Sequence, residues 1–80
     1  MERFPVDEID PTPVYLQLAA ILRSKIKSGE YPPRSRLPSE KTLIDGSGLS
    51  RGSVRHALQA LAGEDLIVII QGRGSYVKEN

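Results

Sequence analysis

The stretch from Leu37 to Leu61 constrains this chain more than any other. It holds Leu-Pro-Ser-Glu, a short helical segment, a Ser-Gly-Leu turn, and then Ser50-Arg51-Gly52-Ser53-Val54-Arg55-His56-Ala57-Leu58. Val54, Ala57, Leu58 and Leu61 recur at spacings of three and four, so they share one face of a helix. Arg51, Gly52, Arg55, His56 and Gln59 fall on the opposite face. The pattern predicts two helices joined by a tight turn, the second pressed to a core on one side and free on the other. A helix-turn-helix that offers its second helix to a DNA major groove requires that division.

The flanking segments fit around this pair. Residues 1–12 lack periodicity and carry acids and prolines, which predicts a flexible N-terminal arm. Thr12 is placed to cap a first helix, with Pro13 at its first position, where a missing N–H costs nothing. Tyr15, Leu18, Ala19, Leu22 and Ile26 follow helical spacing up to a stop at Gly29. Pro32, Pro33 and Pro38 then impose an extended connector, with a short strand expected at Ser35–Leu37. Ser39 and Ser50 are the expected caps of the second and third helices. Leu43 and Ile44 supply the second helix with core residues, while Gly46-Ser47-Gly48 predicts a short or frayed end. The third helix is expected to stop near Gly63–Asp65. Leu66-Ile67-Val68-Ile69-Ile70 is β-branched and bounded by breakers, hence a strand, and Gln71-Gly72-Arg73-Gly74 turns it back into Ser75-Tyr76-Val77. The expected fold is mostly α with a small β-hairpin (α+β), a three-helix winged helix-turn-helix.

Composition removes several classes of function. The chain has no cysteine, which excludes disulfides and thiolate metal sites, and its one histidine has no second metal ligand nearby. No cofactor and no metal are therefore expected. No apolar run approaches the length of a membrane span and no signal-peptide pattern opens the chain, so a cytoplasmic protein with no membrane partner is expected. Asp45, Glu64 and Asp65 sit at helix ends and turns without a nucleophile, which argues against an enzyme. Gly72-Arg73-Gly74 is not followed by a helix, so it is read as a hairpin turn and not as a nucleotide-binding loop. The net charge is only +1, but it is unevenly spread. Residues 34–60 hold Arg34, Arg36, Lys41, Arg51 and Arg55 against Glu40 and Asp45, whereas residues 1–10 hold Glu2, Asp7, Glu8 and Asp10 against Arg3. A basic region in a nearly neutral chain predicts an oriented patch for a polyanion.

Pro13-Val14-Tyr15-Leu16-Gln17-Leu18, Leu37-Pro38-Ser39-Glu40, Leu49 to Leu58 and Gln71-Gly72-Arg73-Gly74-Ser75-Tyr76-Val77 together resemble the N-terminal DNA-binding domain of GntR-family bacterial transcription regulators. The resemblance covers residues 13–78. It implies sequence-specific binding of a double-stranded, pseudo-palindromic operator by a metabolite-responsive repressor. It also implies a C-terminal domain, absent from these 80 residues, that binds a small-molecule effector and forms a homodimer; the chain is accordingly read as a DNA-binding fragment. By the same resemblance Lys41, Ser50, Arg51, Gly52, Ser53 and Arg55 match contact positions, and Gln71, Gly72 and Arg73 match a wing tip that enters the adjacent minor groove. Three departures stand out. Ser47, after Gly46, replaces a usual large apolar residue, Asp65 replaces a glycine, and Ile69 and Ile70 replace residues that are often charged. Five apolar residues in a row cannot all face inward from a two-stranded wing. At least one is expected to be exposed or covered by the missing domain or a second subunit.

The chemistry of the candidates agrees with these roles. Arg51 and Arg55 lie four apart on one helical face, and a guanidinium can bridge guanine O6 and N7 or clamp a phosphate. Ser50, besides capping, sits where exposed N–H groups can hold a phosphate, and Ser53 is similar. Gly52 is costly inside a helix but permits close backbone approach. Arg73 at a hairpin tip suits a narrow minor groove. Arg36, in the basic stretch, and His56, on the polar face, complete the DNA-binding set. Tyr15, Tyr31 and Tyr76 are read as core or rim packing. Two other readings stay open: a protein-interaction winged helix docking through its hairpin and Ile69/Ile70, and a nonspecific DNA-binding module.

Overall fold

The computed structural model describes residues 2–79 and contains α1 (Val14–Lys27), α2 (Glu40–Ser47), α3 (Arg51–Gly63), β1 (Ile67–Ile70) and β2 (Gly74–Val77), in that order. The apolar stripes foreseen in α1 and α3 face each other: Leu18, Ala19 and Leu22 meet Val54, Ala57 and Leu61, all fully buried. Leu43 of α2 and Leu49 of the turn close the third side. At the far end of the helix pair, Arg23 of α1 donates from Nε to Glu64 at 2.8 Å, tying residues 41 apart in sequence.

Helix ends follow the capping chemistry with one exception. Ser39 Oγ accepts from the Thr42 N–H and Ser50 Oγ from the Ser53 N–H, each at 3.1 Å. At α1, however, Pro13 occupies the cap with no side-chain bond, and Thr12 does not cap. Gln17 takes over: its Nε2 donates to the Thr12 and Asp7 carbonyls while its Oε1 accepts from the Asp7 N–H, so one amide fixes the entry of the chain.

Within residues 1–12, expected as a flexible arm, Phe4 requires the largest correction. Phe4 is fully buried in the core, and its N–H donates to the Gly46 carbonyl at 3.0 Å. Farther on, the Tyr31 hydroxyl donates to Glu2 Oε2 at 2.7 Å, and both burial and that carboxylate push the phenol above its ordinary value. The arm lacks periodicity because one large aromatic side chain and a few backbone bonds hold it, and no repeating pattern is needed for that. The same contact explains Gly46. A Cβ there would lie 2.6 Å from Phe4 Cδ2 and 2.7 Å from the Glu2 carbonyl, so only glycine lets the ring lie against α2. The Ser47 hydroxyl turns back to donate to the Leu43 carbonyl. The end of α2 is short, as foreseen, and it is held by the arm.

β1 and β2 pair antiparallel with Ile67 opposite Val77 and Ile70 opposite Gly74. The connector expected as a strand adds a bridge, Arg36 to Tyr76, and its backbone bonds run from Leu37 N–H to Ser75 and from Val77 N–H to Ser35. This lashes the base of the wing to the start of α2. Asp65 takes the left-handed conformation at φ +66°. Of the five apolar residues from Leu66, only Ile67 is buried; Val68, Ile69 and Ile70 are each about 40% exposed.

Candidate nucleic-acid interface

The connector, the first turn of α2, the polar face of α3 and the wing enclose one groove. Arg36, Lys41, Arg51, Arg55 and Arg73 line it, with Gln71 and Gly72 at the wing and a single carboxylate, Glu40, among the cations. Five of one sign along low-dielectric walls focus a field that draws a polyanion. Residues spread over 38 positions of sequence meet here because the Arg36–Tyr76 bridge draws the wing to α2 and the turn at Leu49 sets α3 across it.

Arg51 and Arg55 point from the same side of α3, and both face Glu40. Arg55 Nε donates to Glu40 Oε2 at 2.9 Å, and Arg51 Nη1 lies 3.9 Å from Oε1. The hydrogen bond holds the Arg55 guanidinium above its ordinary value. Both arginines remain more than half exposed, so their other donors are available. Lys41 pairs with Asp45 one turn along α2 at 3.1 Å and is largely open to solvent. Arg36 lies over the wing base: its Nε is 3.0 Å from where a Cβ on Gly74 would stand, so the wing glycine makes room for the guanidinium. At the tip, the Arg73 N–H donates to the Ile70 carbonyl and Gly72 adopts φ +80°, a conformation that suits glycine and presents Arg73 outward.

Four of the residues foreseen as contacts lie outside the groove lining. Ser50 and Ser53 share a capping bond at the start of α3, with Gly52 exposed beside them; all three are on the first turn and can meet a backbone that overhangs the groove. His56 stacks on Tyr15, ring centroids 3.6 Å apart and planes within 5° of parallel, which joins the polar face of α3 to α1. It packs on Tyr15 through one ring face and otherwise stays exposed. Conversely, Glu40, Ile69 and Ile70 line the groove and were not foreseen there. Glu40 reads in sequence as an acid favouring a helix N-terminus, and nothing in the spacing signals arginines 11 and 15 residues away. Among the described residues, no cluster of His, Cys, Asp or Glu could hold a metal ion, and no helix is long and apolar enough to cross a membrane.

A helix-turn-helix with its second helix exposed, flanked by a hairpin whose tip is cationic, defines a winged-helix DNA-binding domain. The family model of bacterial regulatory proteins, gntR family, matches residues 14–77. The chain is 39% identical over 69 residues to the histidine utilization repressor of Pseudomonas aeruginosa, covering 86% of this chain and 28% of that protein. It is 38% identical over 74 residues to the transcriptional repressor NagR of Bacillus subtilis, covering 92% and 30%. Among solved structures, the AraR DNA-binding domain in complex with operator ORX1 superposes with a TM-score of 0.89 at 27% identity, covering 96% of this chain and 98% of that one. YtrA from Sulfolobus acidocaldarius, a GntR-family transcription factor, gives 0.87 at 32% identity, covering 96% and 81%. This chain belongs to the GntR family and is its winged-helix DNA-binding domain; it spans less than a third of the length of those curated repressors.

Proposed function

We propose that the domain reads a specific double-stranded operator, with α3 in the major groove and the wing tip in the neighbouring minor groove. The observation that carries this reading is the single groove in which Arg51 and Arg55 of α3 face the same opening as Arg73 of the wing. In this arrangement Arg51 and Arg55 take guanine edges or phosphates, Lys41 and the first turn at Ser50, Gly52 and Ser53 take phosphates, and Gln71, Gly72 and Arg73 enter the minor groove. Arg36 supports the wing and adds charge at its base, and His56 contributes its edge. No bond is made or broken; the chemistry is positioning and readout.

Two copies bind a pseudo-palindromic site in the cytoplasm of a bacterium, because a two-fold dimer matches paired half-sites. A further domain of the full protein supplies the homodimer contact and the small-molecule effector, and the outcome is repression, as the names of the two repressors matched above suggest. Selection of binding sites from random duplexes tests the reading, repeated with Arg51→Ala and Arg55→Ala. Relaxed preference at one base position, worth about 1–3 kcal/mol, marks a reader, and uniform weakening marks a phosphate contact. Recovery of no preferred sequence would overturn the reading in favour of a nonspecific module.

A further inference from the structure

Glu40 is a carboxylate inside a groove otherwise lined by cations, where it repels the polyanion the groove attracts. As a stability device it contributes little, since both of its ion pairs are solvent-exposed. Its geometry indicates another use. Each oxygen serves a different arginine: Oε2 accepts from Arg55 Nε at 2.9 Å and Oε1 stands 3.9 Å from Arg51 Nη1. The carboxylate itself is only 35% exposed and sits on the first turn of α2, directly after the capping Ser39. It is therefore placed by the helix, holds Arg55 by a hydrogen bond and stands within ion-pair reach of Arg51.

Two consequences follow. A guanidinium has five donors, so binding Arg55 through Nε leaves N–H groups of its terminal nitrogens unused and free for a base edge or phosphate. Without the carboxylate, two like charges four residues apart would repel and spread over rotamers, and that freedom would be lost again on binding DNA. Glu40 also removes one positive charge from the groove, which weakens any grip that depends on phosphates alone. Discrimination is a difference of affinities, and a repulsive group serves it as well as an attractive one.

We propose that Glu40 is a specificity-determining positioning residue: shared between Arg51 and Arg55, it aims their guanidiniums for base reading and opposes a sequence-independent grip on the backbone. The proposal rests on the reading that the groove receives duplex DNA. It is tested with the whole 80-residue chain, a duplex that the wild type selects from a random pool, and a scrambled duplex of equal length and composition, at one fixed salt concentration. In Glu40→Gln the ratio of the two affinities is expected to fall about tenfold, with the scrambled duplex held more tightly than by the wild type. Glu40→Asp keeps the charge but withdraws the carboxylate by one methylene, and is expected to lose selectivity while melting as the wild type does. A ratio that falls by less than about threefold in folded Glu40→Gln and Glu40→Asp overturns the proposal. If the wild type does not prefer its selected duplex, the DNA-reading of the groove fails instead, so the two failures are told apart.

Discussion

The two ends of α3 use the same residue type for opposite purposes. At its C-terminal end Arg23 and Glu64 meet one to one, two nitrogens against two oxygens, and the charges cancel where α1 and α3 are already pressed together. At its N-terminal end Arg51 and Arg55 share one carboxylate, and positive charge is left over. The difference lies in what packs underneath. From Val54 onward the inner face is buried against α1, so the last two turns are committed to the core. The first turn projects past that core with Ser50, Arg51 and Gly52 exposed. One helix is thus anchored at its far end and offered at its near one, and substitutions at the two ends should separate stability from binding.

The largest effect is expected away from the DNA side. Phe4→Ala empties a fully buried aromatic site and should cost about 3–5 kcal/mol in urea denaturation; a loss below about 1 kcal/mol would mean the arm is not part of the core. At the near end of α3, Arg55→Ala should weaken binding to a selected duplex by about 1–3 kcal/mol and leave the denaturation midpoint within about 0.5 kcal/mol of the parent. Equal losses in both assays would erase the contrast between the ends. Ser50→Ala sharpens it, because this residue belongs to the near end yet caps the helix: about 1 kcal/mol of stability should go with it.

The smallest effect is a pH dependence at the far end. The hydrogen bond from Arg23 holds the Glu64 carboxyl below its ordinary value. A lowered carboxylate contributes stability above its unfolded pKa, about 4.3, and that contribution is lost as pH falls through the folded value. Arg23→Gln should therefore melt slightly below the wild type near neutral pH, and the two curves should converge under strongly acidic conditions. A gap that stays constant down to low pH would show that the pair contributes through packing alone.

Much of this architecture was legible from residue spacing. The stripes of α1 and α3, the caps at Ser39 and Ser50 and the hairpin are local matters, set by periodicity and by which side chains satisfy a helix end. The cationic residues of the groove were legible for the same reason: charge and exposure go together. Three features were not. Phe4 and Gly46 meet across 42 positions, and a single aromatic in an aperiodic segment carries no pattern to read. His56 faces away from the core by helical phase, but its partner Tyr15 belongs to another helix. At least one of the five apolar residues from Leu66 to Ile70 was foreseen as exposed or covered; that Ile69 and Ile70 line the same groove as the arginines follows only from where the wing folds back.

The sequence alone determined which faces of the helices are apolar, where they begin and stop, and that a basic helix-turn-helix would be presented with a wing. Tertiary structure decided that Phe4 of the arm is core and that one carboxylate faces two arginines. The physical reason is range: capping and amphipathic phase act within a few residues, whereas a ring on a glycine or an acid between two guanidiniums depends on how separate elements are set against one another.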